Sequence, residues 1–290
     1  MAEQKRYAGT SLSSMRSRDG FYVAPGDGSP IALVPEGPFR MGRPRSELLA
    51  PLDATPARTV LLCAFLIDVE PVTNERFARF IDGGGYRDCE HWSAAGWAYR
   101  VRSGIDRPMS FTERGFDGPE QPAAGLSWFE AEAYAHWARK RLPTEAQWEK
   151  AARGDGFNLF PWGDDLPYSR LCNFNSNIGR TTRSRLYPAG ASPYGCHDMA
   201  GNVNNWCRDW YWEGFYEYCG RNGLDQDPCL DDALRLKVDA VVTMRSDRGG
   251  GYATSFQCWE VLSCSGRLAW PPTTRRLWNG FRCVIDGISA

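Results

Sequence analysis

The sequence predicts an α+β domain with little regular secondary structure, and three observations predict it. Two helix-capping boxes stand almost back to back, at Ser127–Glu130 and Thr144–Gln147. No helical pattern of comparable strength follows Gly154. The second half offers short β-prone runs divided by Pro161, Gly163, Pro167, Pro188 and Pro193.

Residues 1 to about 27 are polar and rich in Gly and Ser, with turn signals at Arg18-Asp19-Gly20 and Pro25-Gly26-Asp27-Gly28, so they read as an arm or an edge strand. Residues 28–290 read as one domain, because no Pro- or Ser-rich linker divides them. A first helix fits Thr73 to Asp82: Thr73 or Asn74 caps it, Phe77, Phe80 and Ile81 fall on one face, and Gly83 to Gly85 stop it. The second follows Ser127, with Trp128, Ala131, Tyr134, Ala135 and Ala138 on one face and Pro143 as its end. The third follows Thr144 through Trp148, Ala151 and Ala152 to Gly154, so two helices meet at a sharp corner.

Composition removes several function classes. Thirty-four Lys and Arg against thirty-five Asp and Glu leave a net charge of -1, without the basic footprint of a nucleic-acid binder. There is neither a signal-peptide h-region nor an eighteen-residue apolar span, so the chain reads as soluble and cytoplasmic, with no membrane partner. Ten scattered cysteines without a CxxC pair read as reduced thiols. Gly249-Gly250-Gly251 lacks the Lys-Ser/Thr of a phosphate loop and reads as a tight strand entry. Asp164-Asp165 and Asp231-Asp232 are adjacent carboxylates unsuited to paired acid–base work, and no Gly-x-Ser-x-Gly elbow occurs.

Six motifs in order, Glu70–Phe80, Gly125–Tyr134, Lys140–Gly154, Phe160-Pro-Trp-Gly163, Asp198-Met-Ala-Gly-Asn-Val203 and Gly280-Phe-Arg282, resemble the formylglycine-generating enzyme (sulfatase-modifying factor) family. The resemblance covers about residues 30 to 285. It implies a variant of the C-type lectin fold, in a family that holds copper-dependent oxidases, iron-dependent sulfoxide synthases and non-catalytic variable proteins diversified by retroelements. Fold alone does not choose among them.

Residue by residue, the resemblance narrows the choice. The oxidase binds Cu(I) through two cysteines five apart, and soft thiolates suit that ion. Those positions here hold Thr254 and Trp259, with Cys258 one residue away and Cys264 at a structural cysteine position. The sulfoxide synthases carry a His-rich iron motif in another domain, whereas His91, His136 and His197 here are far apart in sequence. No redox metal is therefore expected. The oxidase's disulfide partners for Cys264 and Cys283 match Ala135 and Ala152, so those bridges cannot form, leaving a direct Cys264–Cys283 bond as the alternative to free thiols. The family's calcium loop matches Asp198, Gly201, Val203 and Asn205, which implies a structural Ca²⁺. A second calcium site is discounted, because Thr181 and Arg183 stand where Asp is expected.

Between Arg248-Gly-Gly-Gly-Tyr252 and Gly280-Phe-Arg282 the sequence has no core periodicity. The variable proteins hold their diversified surface between matching frames, with side chains projecting outward from a rigid scaffold. The expected function is therefore a non-catalytic binding protein with residues 253–279 as its surface. Its contact residues would be Thr254, Phe256, Cys258, Trp259, Trp270, Arg276, Leu277, Trp278 and Asn279, and its partner a protein or other macromolecule. The alternative is a metal-dependent oxidase acting on a thiol through Cys258, alone or with Cys264. A third reading is a docking domain whose insertion at 212–247 presents Trp212, Phe215, Tyr216 and Tyr218 beside an acidic stretch, Asp225 to Asp232.

Overall fold

The computed structural model describes residues 10–12, 15, 17–47, 51–238 and 240–289. Seven strands come first: β1 (Thr10–Ser11), β2 (Ser17–Arg18), β3 (Phe21–Val23), β4 (Pro30–Val34), β5 (Gly37–Met41), β6 (Arg58–Leu62) and β7 (Phe65–Asp68). Four helices follow: α1 (Asn74–Asp82), α2 (Ala94–Ser103), α3 (Trp128–Trp137) and α4 (Glu145–Arg153). The second half holds β8 (Asn204–Trp210), α5 (Phe215–Asn222), α6 (Asp232–Arg235), β9 (Arg245–Arg248), β10 (Arg267–Trp270), β11 (Asn279–Gly280), β12 (Val284–Ile285) and β13 (Ile288–Ser289). Two sheets organise the molecule, one in the order β12-β7-β4-β3-β2 and the other β10-β9-β8-β11. The fold is the expected C-type lectin-like α+β arrangement, with short elements joined by long ordered loops.

The predicted helices form for the reasons read in the sequence. The Thr73 hydroxyl caps α1, and both capping boxes close, with Ser127–Glu130 on α3 and Thr144–Gln147 on α4. One boundary differs: α3 ends at Trp137, where Arg139 turns into the left-handed region (φ 56°), six residues before Pro143. Arg139's turn lets the next residue point inward. Lys140 is fully buried, its ammonium 2.9 Å from Asp27 Oδ2 and 2.6 Å from Asp68 Oδ1. Three helices, α2, α5 and the short α6, were not anticipated. Ser93 caps α2 and Gly104 ends it in the left-handed conformation, while α5 runs to Gly223 in the same conformation.

Of the segment read as an arm or edge strand, residues 1–9 lie outside the described residues. Residues 17–23 form the outer hairpin β2–β3 of the first sheet, turning at Asp19 and Gly20, both at positive φ. The glycine run differs from expectation in direction, for Gly249 (φ 87°) and Gly250 (φ 63°) carry the chain out of β9 rather than into a strand. Phe215 and Tyr216 of the insertion are buried at 1% and 0% exposure in the main core, with Trp212 and Tyr218 packed against it. Its acidic residues stay exposed, with Asp225 bonded to Arg58 at 2.8 Å and Asp227 accepting the Cys63 amide at 3.0 Å. The insertion thus completes the core, which corrects its reading as an aromatic docking surface.

Candidate functional site

The tail leaves β9 through the glycine turn, anchored where the Tyr252 amide donates to the Asn202 carbonyl. A 3₁₀ segment over Phe256–Leu262 is capped by Ser255, and it presents Phe256 (44% exposed) and Cys258 to solvent. Thr254 accepts the Gly251 amide at 3.0 Å, and Trp259 packs its half-buried ring on Phe160, 5.9 Å between centroids. Further along, the Arg276 guanidinium lies 3.8 Å over the Trp270 ring and 5.6 Å from the Trp278 ring. Leu277 is half-buried beside them.

The tail is not one continuous surface. Residues 262–267 turn inward, because Arg267 reaches the buried Glu145 with bonds of 2.9 and 2.7 Å. Asn279 is fully buried in β11, donating to Asp247 Oδ2 at 2.7 Å, so it belongs to the floor of the tail and not to its surface. This corrects its reading as an exposed contact residue.

That floor is built on β9, whose neighbours β8 and β10 fix the facing of each side chain. Arg248 turns to one side, bonded to Glu149 Oε2 at 3.0 Å and Tyr216 Oη at 2.7 Å and paired with Glu145 at 2.9 Å. Beside Arg267 and Arg248, the Glu145 carboxyl is held down at about 2 despite its burial. Asp247 turns to the other side. Its Oδ2 accepts from Asn204 Nδ2 at 2.9 Å and from Asn279 Nδ2 at 2.7 Å. Burial pushes this carboxyl up to about 7, against the pull of the Asn204 amide, the Arg248 backbone N–H, the Asn279 amide and the Trp270 indole. Asn204 and Asp247 escaped the sequence reading. Glycine at 251 makes room for this arrangement, since a Cβ there would lie 2.9 Å from both Asn204 Oδ1 and Trp278 Cβ.

The four residues matched to a calcium loop come together, and the side-chain oxygen of Asn205 and the Val203 carbonyl are already engaged. Asn205 Oδ1 accepts from Arg282 Nε at 2.6 Å and Trp148 Nε1 at 3.3 Å, and the Val203 carbonyl accepts from Asn205 Nδ2 at 2.9 Å. Arg282 also donates to the carbonyls of His197 and Asp198. The Gly201 amide donates to the Gly249 carbonyl, tying the loop to the glycine turn. Burial raises the Asp198 carboxyl to about 6, with Asn202 and Arg282 opposing. The Arg282 guanidinium thus takes the Asn205 oxygen that the loop would offer a cation.

The thiols are scattered through the fold. All ten cysteines are free, and Cys264 and Cys283 belong to two different core clusters, which removes the direct bridge between them. Cys264 is fully buried with its thiol pushed up to about 12, chiefly by burial. Of the histidines, His136 Nδ1 lies 3.1 Å from the His91 carbonyl, while burial and then Arg185 and Arg282 depress the His197 imidazole. Among the described residues, no three His, Cys, Asp or Glu side chains form a metal-binding group. A separate polar cleft of about 390 Å³ is lined by Glu70, Arg76, Glu120, Arg183 and Arg185 among others. Arg76 and Arg185 both clasp Glu70 there, at 2.5 and 3.0 Å.

Comparison with known proteins places this geometry. The model of the sulfatase-modifying factor enzyme 1-like domain matches residues 25–287. Hercynine oxygenase of Mycolicibacterium thermoresistibile is 40% identical over 290 residues, 90% of this chain and 60% of that protein. Formylglycine-generating enzyme of Thermomonospora curvata is 30% identical over 295 residues, 88% of this chain and 93% of that protein. The chain therefore spans the oxidase nearly whole and the oxygenase only in part. Among solved structures, PvdO from Pseudomonas aeruginosa aligns with a TM-score of 0.66 at 21% identity, covering 93% and 98% of the two chains. Treponema denticola variable protein 1 aligns at 0.57 and 18%, covering 88% and 94%. At those identities the likeness is one of fold. Taken together, the six motifs, the lectin-like architecture and the match over residues 25–287 make this chain a member of the sulfatase-modifying factor family.

Proposed function

We propose that this domain binds a ligand on the face formed by its tail, between Phe256 and Trp278, and does so without a thiolate–copper centre. The observation that carries the reading is the use made of the two copper-ligand positions. Thr254 caps the Gly251 amide and Trp259 packs on Phe160, so both serve the scaffold. The one cysteine nearby with a buried environment, Cys264, has its thiol raised, which disfavours the thiolate that a soft metal needs. Exposed Phe256 and the Trp270–Arg276–Trp278 stack supply aromatic and guanidinium surface of the kind that anchors macromolecular partners. The ten free thiols are consistent with a reducing compartment.

Anaerobic Cu(I) titration tests this reading, followed by oxygen uptake with a cysteine-containing peptide. The expected result is no tight one-to-one binding and no uptake above the rate of Cys258→Ser. Stoichiometric Cu(I) binding that disappears in Cys258→Ser would overturn it in favour of the oxidase alternative.

A second reading draws on the 40% identity to a hercynine oxygenase across 90% of this chain. In it, the same face holds the substrate of an oxygenase-type reaction whose metal ligands lie outside these residues. It predicts that iron and hercynine produce turnover only when a second, histidine-rich domain is added.

A further inference from the structure

We propose that Asn204, Asp247 and Asn279 form a receptor for a primary ammonium group, reached from the tail face between Trp270 and Trp278. The proposal rests on the binding reading above, since it gives that ligand a chemical class.

The three side chains come from β8, β9 and β11, adjacent strands of one sheet, and are 1%, 0% and 0% exposed. Both amide nitrogens donate to the same oxygen, Asp247 Oδ2, which fixes each amide with its nitrogen toward the acid. Three acceptors, Asp247 Oδ1, Asn204 Oδ1 and Asn279 Oδ1, and one donor, the Trp270 indole Nε1, are left without a hydrogen-bond partner. Buried side-chain acceptors are ordinarily satisfied, so three around one carboxyl call for an occupant.

The number and type of these atoms select among occupants. A water molecule would meet two acceptors and the indole N–H, whereas an ammonium meets all three acceptors and brings the charge the carboxylate lacks. Among the described residues no guanidinium or ammonium forms a salt bridge with Asp247, and burial is what raises its carboxyl. A hard metal ion is the poorer match, since it seeks six or more oxygens and the cluster leaves three free. Trp270 also links the floor to the surface. Its indole N–H is buried without a hydrogen-bond partner and helps hold the Asp247 carboxyl down, while its ring face carries the Arg276 guanidinium at 3.8 Å. Arg276 therefore already rests on the ring by which an incoming cation would pass, and that side chain swings on four rotatable bonds.

The full chain, labelled at its indole nitrogens, would be titrated with benzylamine at pH 8, and with benzyl alcohol and benzyltrimethylammonium as controls. The Trp270 N–H resonance is expected to shift saturably with benzylamine alone. Asp247→Asn should weaken binding at least tenfold while keeping a cooperative unfolding transition, and Asn279→Ala should weaken it severalfold by removing one acceptor. Equal binding by Asp247→Asn, or no shift with any probe, the latter meaning a buried water only, would overturn the proposal. If Asp247→Asn does not fold, Asn279→Ala decides alone, and unchanged affinity there counts against the site. Copper titration reports separately on the binding reading: tight Cu(I) uptake with benzylamine still bound would fail that reading and spare this one.

Discussion

Asp247 and Arg248 are consecutive residues of one strand, both fully buried, and they live in opposite electrostatic worlds. On Arg248's side, Glu145, Glu149, Arg153 and Arg267 complete a five-charge cluster with a tyrosine hydroxyl, and each charge has a counterpart within 3.0 Å. On Asp247's side the acid has amides and an indole but no cation. The difference separates two uses of buried charge. A closed cluster fixes where α4, β9 and β10 meet, whereas an open one holds unspent interaction energy that a ligand can collect.

The sharpest way to break the comparison is to remove the shared anion of the closed cluster. Glu145→Gln leaves Arg248 and Arg267 under-compensated and should cost about 3–5 kcal/mol in urea unfolding. A loss below about 1 kcal/mol would mean the cluster is not a structural element. The sign of its pH dependence follows: the carboxyl is held low, so its stabilisation is present above about pH 4.5 and fades as pH falls toward about 2.

Asp247→Asn should act the other way. The folded protein holds the Asp247 proton more tightly than the unfolded chain does. Its contribution is therefore full below about pH 4 and lost as pH rises through about 7. At pH 8 the amide variant should be more stable than the parent, on the order of 2 kcal/mol, with a flatter melting temperature between about pH 4 and 8. A variant less stable at pH 8 would place Asp247 with the closed cluster.

Glu130 is an intermediate case, buried and pushed upward, yet paired with the partly exposed Arg275 at 3.1 Å. Glu130→Gln keeps a capping-box acceptor and should cost about 1 kcal/mol. Smallest of all, Phe256→Ala should leave stability within about 0.5 kcal/mol, because the ring is exposed. If sister copies of this gene differ in the tail, the differences should fall in 253–261 and 268–278 and spare 262–267 and Asn279.

How much of this was legible in the sequence follows from the range of each interaction. The capping boxes at Ser127 and Thr144 are complete within four residues, so they could be read directly, and the family frame located the tail. Ser93 and Gly104 also bracket α2, a cap and a stop that could have been read. The aromatic run at 212–218 was misread because Tyr216 is drawn inward by Arg248, thirty-two positions away. Asn279 looked exposed beside Trp278, but a strand alternates its sides. The Asn204–Asp247–Asn279 cluster had no sequence signal at all, since it exists only through the register of three strands.

Arg282 carries a consequence for how the protein is made. Its guanidinium reaches the carbonyls of Asp68, Val69, His197 and Asp198 and the side chain of Asn205, joining the first sheet to the loop that leads into β8. On a ribosome, every one of those acceptors is synthesised well before the residue that satisfies them. The frame of the tail therefore sets last, and a nascent chain stopped short of position 282 has its contact surface already translated with nothing rigid to hold it.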